Sequence, residues 1–410
     1  MKIYLVGGAV RDKLLNLPTK EHDWVVVGAT PQQLLQQGYK QVGKDFPVFL
    51  HPLNHEEYAL ARTEKKLAPG YYGFVCDSNN QVTLEEDLKR RDLTINAMAM
   101  DEHGTLIDPY NGRADLNAKI LRHVSPAFRE DPLRVLRVAR FAARFYHLGF
   151  KIAAETRALM YDLVTRGELQ YLIAERIWQE WQQSLGEKNP EVFITTLRNC
   201  DALRVILPEI NNLFGIPNPK RHHPEIDSGI HSLMVLQRAA ELSLDPSVRF
   251  AACVHDLGKA ATPMAFWPHH YGHDKKGIPI IAALVKRLKI PTNYSKLAAM
   301  TSRFHLIVHR AFELRPKTLI KVLTMADAFR RPNFFQQMLV VCAADAYRVG
   351  NPNDYSQNRY FTNILEECAG ISIPTLLVAG HKGNDMKDAV NKCRIAAANR
   401  VAKLWKIDER

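Results

Sequence analysis

Two regimes of apolar spacing divide the chain. Up to about residue 125, short β-rich runs alternate with brief helical stretches; beyond that point a 3.6-residue period dominates. Residues 3–6 and 24–27 are dense in β-branched side chains and predict strands, and EYALAR at 57–62 alternates as a strand does. In ATPQQLLQQG, Thr30 is placed to cap a helix, Pro31 to open it and Gly38 to stop it. Residues 65–80 carry no regular pattern and predict a long loop, whereas MAMDEHGTLID predicts a hairpin turning at His103 and Gly104. SPAFREDPLRVLRVARFAARF (125–145) predicts helix, as do 153–166, 173–185 and 190–200. Residues 214–227 are polar and Pro-rich, a predicted linker, and helical spacing returns after them. The pattern describes an α+β head, a helical middle and a helical C-terminal half.

Composition narrows the class. A chain of 410 residues that is 46% hydrophobic and 24% charged exceeds one ordinary core and fits a soluble, multidomain protein. No apolar run reaches the length of a membrane span, and the N-terminus enters a strand directly, without the pattern of a signal peptide. Six scattered cysteines with no CxxC pair speak against a disulfide framework or zinc ribbon and suit the cytoplasm. The formal charge of +12 points to a polyanion such as nucleic acid, or else to solubility alone. Residues 286–331 hold eleven Lys or Arg against Glu313 and Asp327, either a surface that tracks phosphates or a solvated helical face.

The chemistry begins at KIYLVGGAVRD. Gly7 and Gly8 allow a sharp turn close to a ligand, the following helix start favours an anion, and Arg11 adds a fork of donors suited to phosphate. In TKEHDWVVVG, Glu21 and Asp23 stand two apart at the mouth of a strand run. Such residues share a face about 6.5 Å apart, and two carboxylates there can hold hard divalent cations against a triphosphate. A pair of ions ~4 Å apart can serve a hydroxyl nucleophile and its leaving oxygen together.

These motifs resemble the polymerase-β-like nucleotidyltransferases and, more narrowly, the class II tRNA nucleotidyltransferases, the bacterial CCA-adding enzymes. LVGGAVRD, HDWVVVG, RRDLTINAM, DPYNG and EDPLRVLRVARFAARF occur in the family's order. One departure is Glu21, where the family's D-x-D has aspartate. The resemblance implies a nucleotidyltransferase head over 1–125 and a helical neck over 126–215 that binds RNA and nucleotide. An HD phosphohydrolase domain would span 226–350, with a helical tail over 351–410. It implies magnesium on Glu21 and Asp23, and tRNA, CTP and ATP as substrates. Gly8, Arg11, Arg91, Asp92, Asp131, Arg134, Arg137 and Arg140 would bind nucleotide. A monomer or homodimer is equally compatible.

The residues also suggest how nucleotides are chosen. In KRRDLTINAM, Arg91 can reach phosphates and Asp92 can accept from a ribose hydroxyl; the alternative is a charged helix end capped at Thr94. After residue 131, Arg134, Arg137, Arg140 and Arg144 fall within roughly 120° of one helix face, opposite Val135, Val138, Ala142 and Phe145. The family's E-D-x-x-R maps onto Glu130, Asp131 and Arg134. A fixed acceptor beside a donor matches the amine and ring acceptor shared by cytosine and adenine, and leaves guanine or uracil unpaired.

The C-terminal half carries a second pattern. His231, the adjacent His255 and Asp256 closing an apolar helix before Gly258, and Asp345 are spaced as in HD-domain phosphohydrolases, which they resemble. Imidazole and carboxylate donors suit a divalent metal, including a transition metal such as nickel. His269, His270, His273 and His305 could approach the metal or lie in loops. The resemblance implies 2′,3′-cyclic phosphodiesterase, 2′-nucleotidase and phosphatase activities. Rival readings are a poly(A) polymerase, which shares the head motifs but lacks the HD pattern, and a stringent-response synthetase-hydrolase, which has the two domains in reverse order. A third rival is an RNA-binding protein with an inactive head.

Overall fold

The computed structural model describes residues 1–19, 21–42, 48–66, 74–77, 79–219, 227–346 and 355–408, with side chains left aside at 64–66, 74–77 and 406–408. The chain divides into two compact units, Met1–Leu207 and Pro208–Arg410.

In the first unit a seven-stranded sheet has the order β3-β4-β5-β2-β1-β8-β9. Its strands are β1 (Lys2–Val6), β2 (Asp23–Val27), β3 (Lys40–Val42), β4 (Val48–Leu50), β5 (Glu57–Leu60), β8 (Ala99–Met100) and β9 (Leu106–Ile107). The β2–β5 pair is parallel and the others are antiparallel. Alternation along the strands fills two cores. Val6, Val25 and Ala99 pack on one face with Leu84 and Leu88 of α3 (Leu84–Lys89). Val26, Phe49, Tyr58 and Leu60 pack on the other with Leu34 of α2 (Pro31–Gln36). Thr30 closes a capping box with Gln33, and the chain leaves at Gly38 with φ +85°, as the sequence predicts. The predicted hairpin forms between β8 and β9, with Gly104 at φ +80°.

The loop expected over 65–80 is corrected: β6 (Thr63–Lys66) and β7 (Phe74–Asp77) pair antiparallel, and only 67–73 and 78 lie outside the described residues. A two-stranded ribbon outside the main sheet need not show the alternation of a half-buried strand, which is why the pattern missed it.

The rest of the unit is helical around α5 (Leu133–Phe145), apart from the short parallel pair β10 (Ile120–Leu121) and β11 (Lys151–Ile152). Before them come α1 (Gly8–Leu14) and α4 (Gly112–Ala118); after them come α6 (Ala154–Thr165), α7 (Ala174–Leu185), α8 (Glu191–Asn199) and α9 (Leu203–Ile206). The helix predicted over 125–145 is interrupted: residues 126–130 form a 3₁₀ turn, and α5 starts after Pro132. Val135, Val138, Ala142 and Phe145 are buried, as their spacing requires, in a helix that packs on α7 and α8.

The second unit is helical throughout its described residues. It contains α10 (Pro208–Asn211), α11 (Ser228–Leu242), α12 (Pro246–Val254), α13 (His273–Leu288), α14 (Thr292–His309), α15 (Pro316–Met325), α16 (Pro332–Ala346), α17 (Ser356–Ala369), α18 (Ile373–Val378) and α19 (Gly383–Asp408). α14 packs on α12, α13 and α16, and α11 closes against α12 and α16. No described helix is long and apolar enough to cross a membrane. The predicted linker is partly structural: Ile216 and Asn218 are buried, Pro217 bridges to Asp227, and Asp227 caps α11. Among the cations of 286–331, Arg287, Arg310, Arg330 and Arg331 pair with carboxylates. Lys286, Lys296, Arg315, Lys317 and Lys321 are exposed.

Candidate active sites

The first site is assembled where β1 meets α1. Val6, the last residue of β1, stands in register with Asp23, the first of β2. The acid is therefore one residue from the glycine turn. By alternation Asp23 faces the same side as Val25, the side on which α3 packs and at whose end Arg91 emerges. Gly7 has φ +68°, and a Cβ there would lie 2.8 Å from Arg91 Nη1. A Cβ on Gly8 would lie 3.4 Å from Arg11 Nη2. Gly7 thus makes room for the Arg91 guanidinium, while the Arg11 guanidinium packs in ordinary contact with Gly8. The Arg91 Nε is buried without a hydrogen-bond partner, while Nη2 pairs with Asp87.

Two sequence expectations change here. Glu21 is exposed and precedes β2, so it is not held by the ladder that fixes Asp23 and is not its strand neighbour at i−2. Glu56, which the sequence did not single out, steadies this entry by accepting from Trp24 Nε1 at 2.8 Å and meeting His22 Nδ1 at 2.9 Å. Arg11 is not an open fork. It is 2% exposed, pairs with Asp12, donates to Asn96 Oδ1 and lies over the rings of Phe141 and Phe145. Burial lowers its pKa.

The arginine stripe of α5 is covered rather than solvated. Arg137 Nε donates to Asp92 at 2.7 Å, Arg140 Nε to Glu180 at 2.6 Å, and Arg144 Nη2 to Asp12 at 2.9 Å. Arg11, Arg137, Arg140 and Arg144 all border the Phe141–Phe145 pair, against the carboxylates of Asp12, Asp92 and Glu180, so cations are in excess. Arg137 is the most open, with 36% of its side chain exposed against 30% for Arg144. Asp92 is buried and accepts from Leu93 N, Asn96 Nδ2 and Arg137. Burial opposes its charge, but the Arg137 guanidinium outweighs that and holds the carboxyl well below its usual range. A continuous chain of bonds therefore runs Arg11–Asn96–Asp92–Arg137.

Asp131 and Arg134 are near each other in sequence but have separate partners. Asp131 caps Leu133 N and pairs with Arg176 at 2.9 Å. Arg134 is 6% exposed and donates to the carbonyls of Ala127 and Arg90. Thr94 caps no helix; its hydroxyl donates to Asp115.

A prediction follows from the Asp92 pair. Arg137→Ala leaves a buried carboxylate without its cation and is expected to cost about 2 kcal/mol, discounted because the arginine is one-third exposed. Because the folded-state pKa of Asp92 is depressed, this stability is present above about pH 4 and fades as acid protonates the folded carboxylate. Urea unfolding of both proteins at pH 7 and pH 3 should show the gap narrow in acid.

The second site lies in the second unit. His231 comes from α11, His255 and Asp256 follow α12, His273 opens α13, His305 lies on α14, and Asp345 lies on α16. His231 Nε2 is 2.9 Å from Asp345 Oδ1, and His255 Nε2 is 3.3 Å from Asp256 Oδ2. Lys259 Nζ meets Asp256 Oδ2 at 2.6 Å. Burial opposes the charges on Asp256 and Asp345, but their cationic and hydrogen-bonding neighbours hold both carboxyls well below the usual range. Burial, helped by the neighbouring His255 and His273 and opposed by Asp256 and Asp345, pushes His305 down to about 3. His231, Asp256, His273, His305 and Asp345 line a cavity of about 1120 Å³. His255 Nε2 and Asp256 Oδ1 are buried without hydrogen-bond partners, as a site shaped for a cation requires.

His309, which the sequence reading passed over, meets Asp345 Oδ2 at 2.8 Å and Tyr355 Oη at 2.8 Å. Its spacing of four from His305 on one helix was the available signal. Of the open candidates, His273 and His305 join the cluster. His270 instead bonds Thr262 and the Pro217 carbonyl, and His269 is exposed.

Three families match the chain: the poly A polymerase head domain over residues 3–122, a family described as a probable RNA and SrmB-binding site of polymerase A over 149–214, and the HD domain over 229–331. A "Multifunctional CCA protein" of Legionella pneumophila (strain Paris) is 61% identical over 410 residues, covering 100% of both chains. A solved CCA-adding enzyme with ATP shares the fold at TM-score 0.65 and 19% identity, covering 97% of this chain and 86% of its own. A Thermotoga maritima CCA-adding enzyme complexed with tRNA does so at TM-score 0.63 and 18% identity, covering 100% and 92%.

Proposed function

The chain belongs to the multifunctional CCA proteins, and we propose that its head adds C, C and A to the 3′ end of tRNA from CTP and ATP while its C-terminal half hydrolyses phosphate esters. The observation that carries the first activity is the register of Val6 on Asp23, which sets a carboxylate beside a glycine turn backed by two guanidinium groups. Action on tRNA supports a cytoplasmic location.

In the head, Asp23 and Glu21 offer hard oxygen donors that suit magnesium, which supplies charge neutralisation and activation of the RNA hydroxyl when bound. Gly8 lets the triphosphate approach the backbone. Arg91, with a buried unpaired Nε, and the open edge of Arg137 meet phosphate or ribose oxygens. Arg11 and Arg140 act from beneath, as fixed positive charge held by Asp12 and Glu180. Asp131 accepts from the exocyclic amine of cytosine or adenine and Arg134 donates to the ring nitrogen. To do so Asp131 gives up its bond to Arg176, and Arg134 turns on its carbonyl anchors.

In the C-terminal half, His231, His255, Asp256 and Asp345 suit a divalent transition metal such as nickel, which supplies a hydroxide and polarises a phosphoryl group when bound. Lys259 and the His309–Tyr355 pair steady the two carboxylates. The cavity above them is large enough for a nucleotide, consistent with cyclic phosphate, 2′-nucleotide and phosphomonoester substrates.

The test supplies tRNA lacking its CCA end, with magnesium and each nucleotide mixture, and reads product length. Three added residues with CTP and ATP, and none with GTP or UTP, are expected. Asp131→Asn and Arg134→Gln should each bring GTP or UTP incorporation up by at least about tenfold. Unchanged choice among the four nucleotides in both variants removes base reading from these residues.

A further inference from the structure

The loop PMAFWPHHYG, residues 263–272, leads into α13 and holds aromatic rings out in water. Its side chains divide into two sets. Trp267 and His270 turn inward and anchor it. Trp267 Nε1 donates to the Thr262 hydroxyl at 3.1 Å, His270 Nδ1 meets the same hydroxyl at 2.8 Å, and His270 Nε2 donates to the Pro217 carbonyl at 2.7 Å. Phe266, His269 and Tyr271 are exposed, Phe266 by 52% and Tyr271 by 67%. The His269 and Tyr271 rings are stacked, with centroids 5.7 Å and planes 20° apart, and Phe266 stands edge-on to Tyr271 at 6.3 Å. The inward pair fixes the backbone, so the outer rings are arranged before any ligand arrives.

This surface continues into the cavity above Asp256 and Asp345, because Pro268 and His269 also line it. At about 1120 Å³ the cavity exceeds the roughly 300–1,000 Å³ of a small-molecule pocket, which leaves room beside a single nucleotide. Outside the histidine–aspartate cluster its charged lining is Arg238, Lys259 and Arg310 against Asp274. Arg238 and Arg310 pair with Glu241 and Glu313 in solvent-facing bridges, which cost little to exchange for phosphate. Lys275, just past the loop, is exposed as well. Open π-faces bordered by cations suit single-stranded RNA, in which each base offers a face to stack and each linkage a negative charge. Resting on the phosphohydrolase reading, we propose that Phe266, His269 and Tyr271 form a base-stacking platform, through which the second site takes the 3′ end of single-stranded RNA in preference to a free mononucleotide. A terminal 2′,3′-cyclic phosphate enters the cavity, and the base before it stacks on Tyr271. Water then adds across one P–O bond: its oxygen joins phosphorus, the bond to one ribose oxygen breaks, and a proton passes to that oxygen. Stacking accepts every base, so this site does not discriminate among the four.

The experiment gives full-length protein, with nickel supplied, either cytidine 2′,3′-cyclic phosphate or a four-nucleotide RNA ending in the same group, and follows ring opening by chromatography. The kcat/KM for the tetranucleotide is expected to be at least about tenfold higher, with the gain in KM. Tyr271→Ala and Phe266→Ala should each remove most of that gain and leave the mononucleotide rate within twofold, whereas Tyr271→Trp should keep it. Both side chains are exposed, so truncation leaves the core intact. Equal kcat/KM for the two substrates in the parent, or a gain that both alanine variants retain, overturns the platform and leaves the phosphohydrolase reading standing. Failure of the parent to open either ring overturns both.

Discussion

Asp23→Asn is expected to reduce CCA addition by about a thousandfold or more, equivalent to about 4 kcal/mol of barrier. Of the two head acids, Asp23 alone is fixed by the sheet, paired with Val6 on one side and Glu57 on the other. The amide keeps the shape and the ladder but loses the charge that holds a divalent ion. Glu21→Gln should cost less, because Glu21 lies outside the strand and its longer side chain is free to adjust. Hydrolysis of a phosphate ester by the same Asp23→Asn protein should stay within twofold of the parent. Asp256→Asn should give the opposite profile, with addition kept and hydrolysis lost. If either change removes both activities from folded protein, the two chemistries do not belong to separate sites.

The second large effect is expected at Gly258. A Cβ there would fall 1.9 Å from the His273 carbonyl and 2.5 Å from Gly277 N. These are backbone atoms and cannot step aside as a side chain could, so Gly258→Ala must push the turn after Asp256 away from the start of α13. That contact sets the distance from Asp256 to His273. Loss of hydrolysis by at least about a hundredfold is expected, with a lower melting temperature for the C-terminal half. Measured hydrolysis within threefold of the parent would show that the two backbones can part without disturbing the cluster.

The sequence made β1, β2, β5 and the β8–β9 hairpin legible, though not β3 and β4, because alternation and turn chemistry agree there: the Thr30 cap and the Gly104 hairpin formed as patterned. It also brought out His231, His255, Asp256 and Asp345, since an acid and an imidazole closing an apolar helix conflict with burial unless they serve a ligand. It misjudged the arginines of α5. A cationic stripe opposite an apolar one normally faces water, and nothing local revealed that Asp12, Asp92 and Glu180 would arrive from distant segments to cover it. Glu180 did leave a trace, an acid between Trp178 and Trp181 on a buried face. The paired strands Thr63–Lys66 and Phe74–Asp77 left none in the pattern of residues.

The bonded path from Arg11 through Asn96 and Asp92 to Arg137 has a mechanical consequence. It fastens the turn at Gly8 to the helix that carries Arg134, so the span between Gly8 and that helix is held. With the roles proposed above, the head works as a calliper. One jaw closes on phosphate, the other on the edge of the base, and a nucleotide is gauged by its reach as well as by its pattern of donors. Cutting the path at Asn96 would leave both jaws in place and slacken the hinge between them.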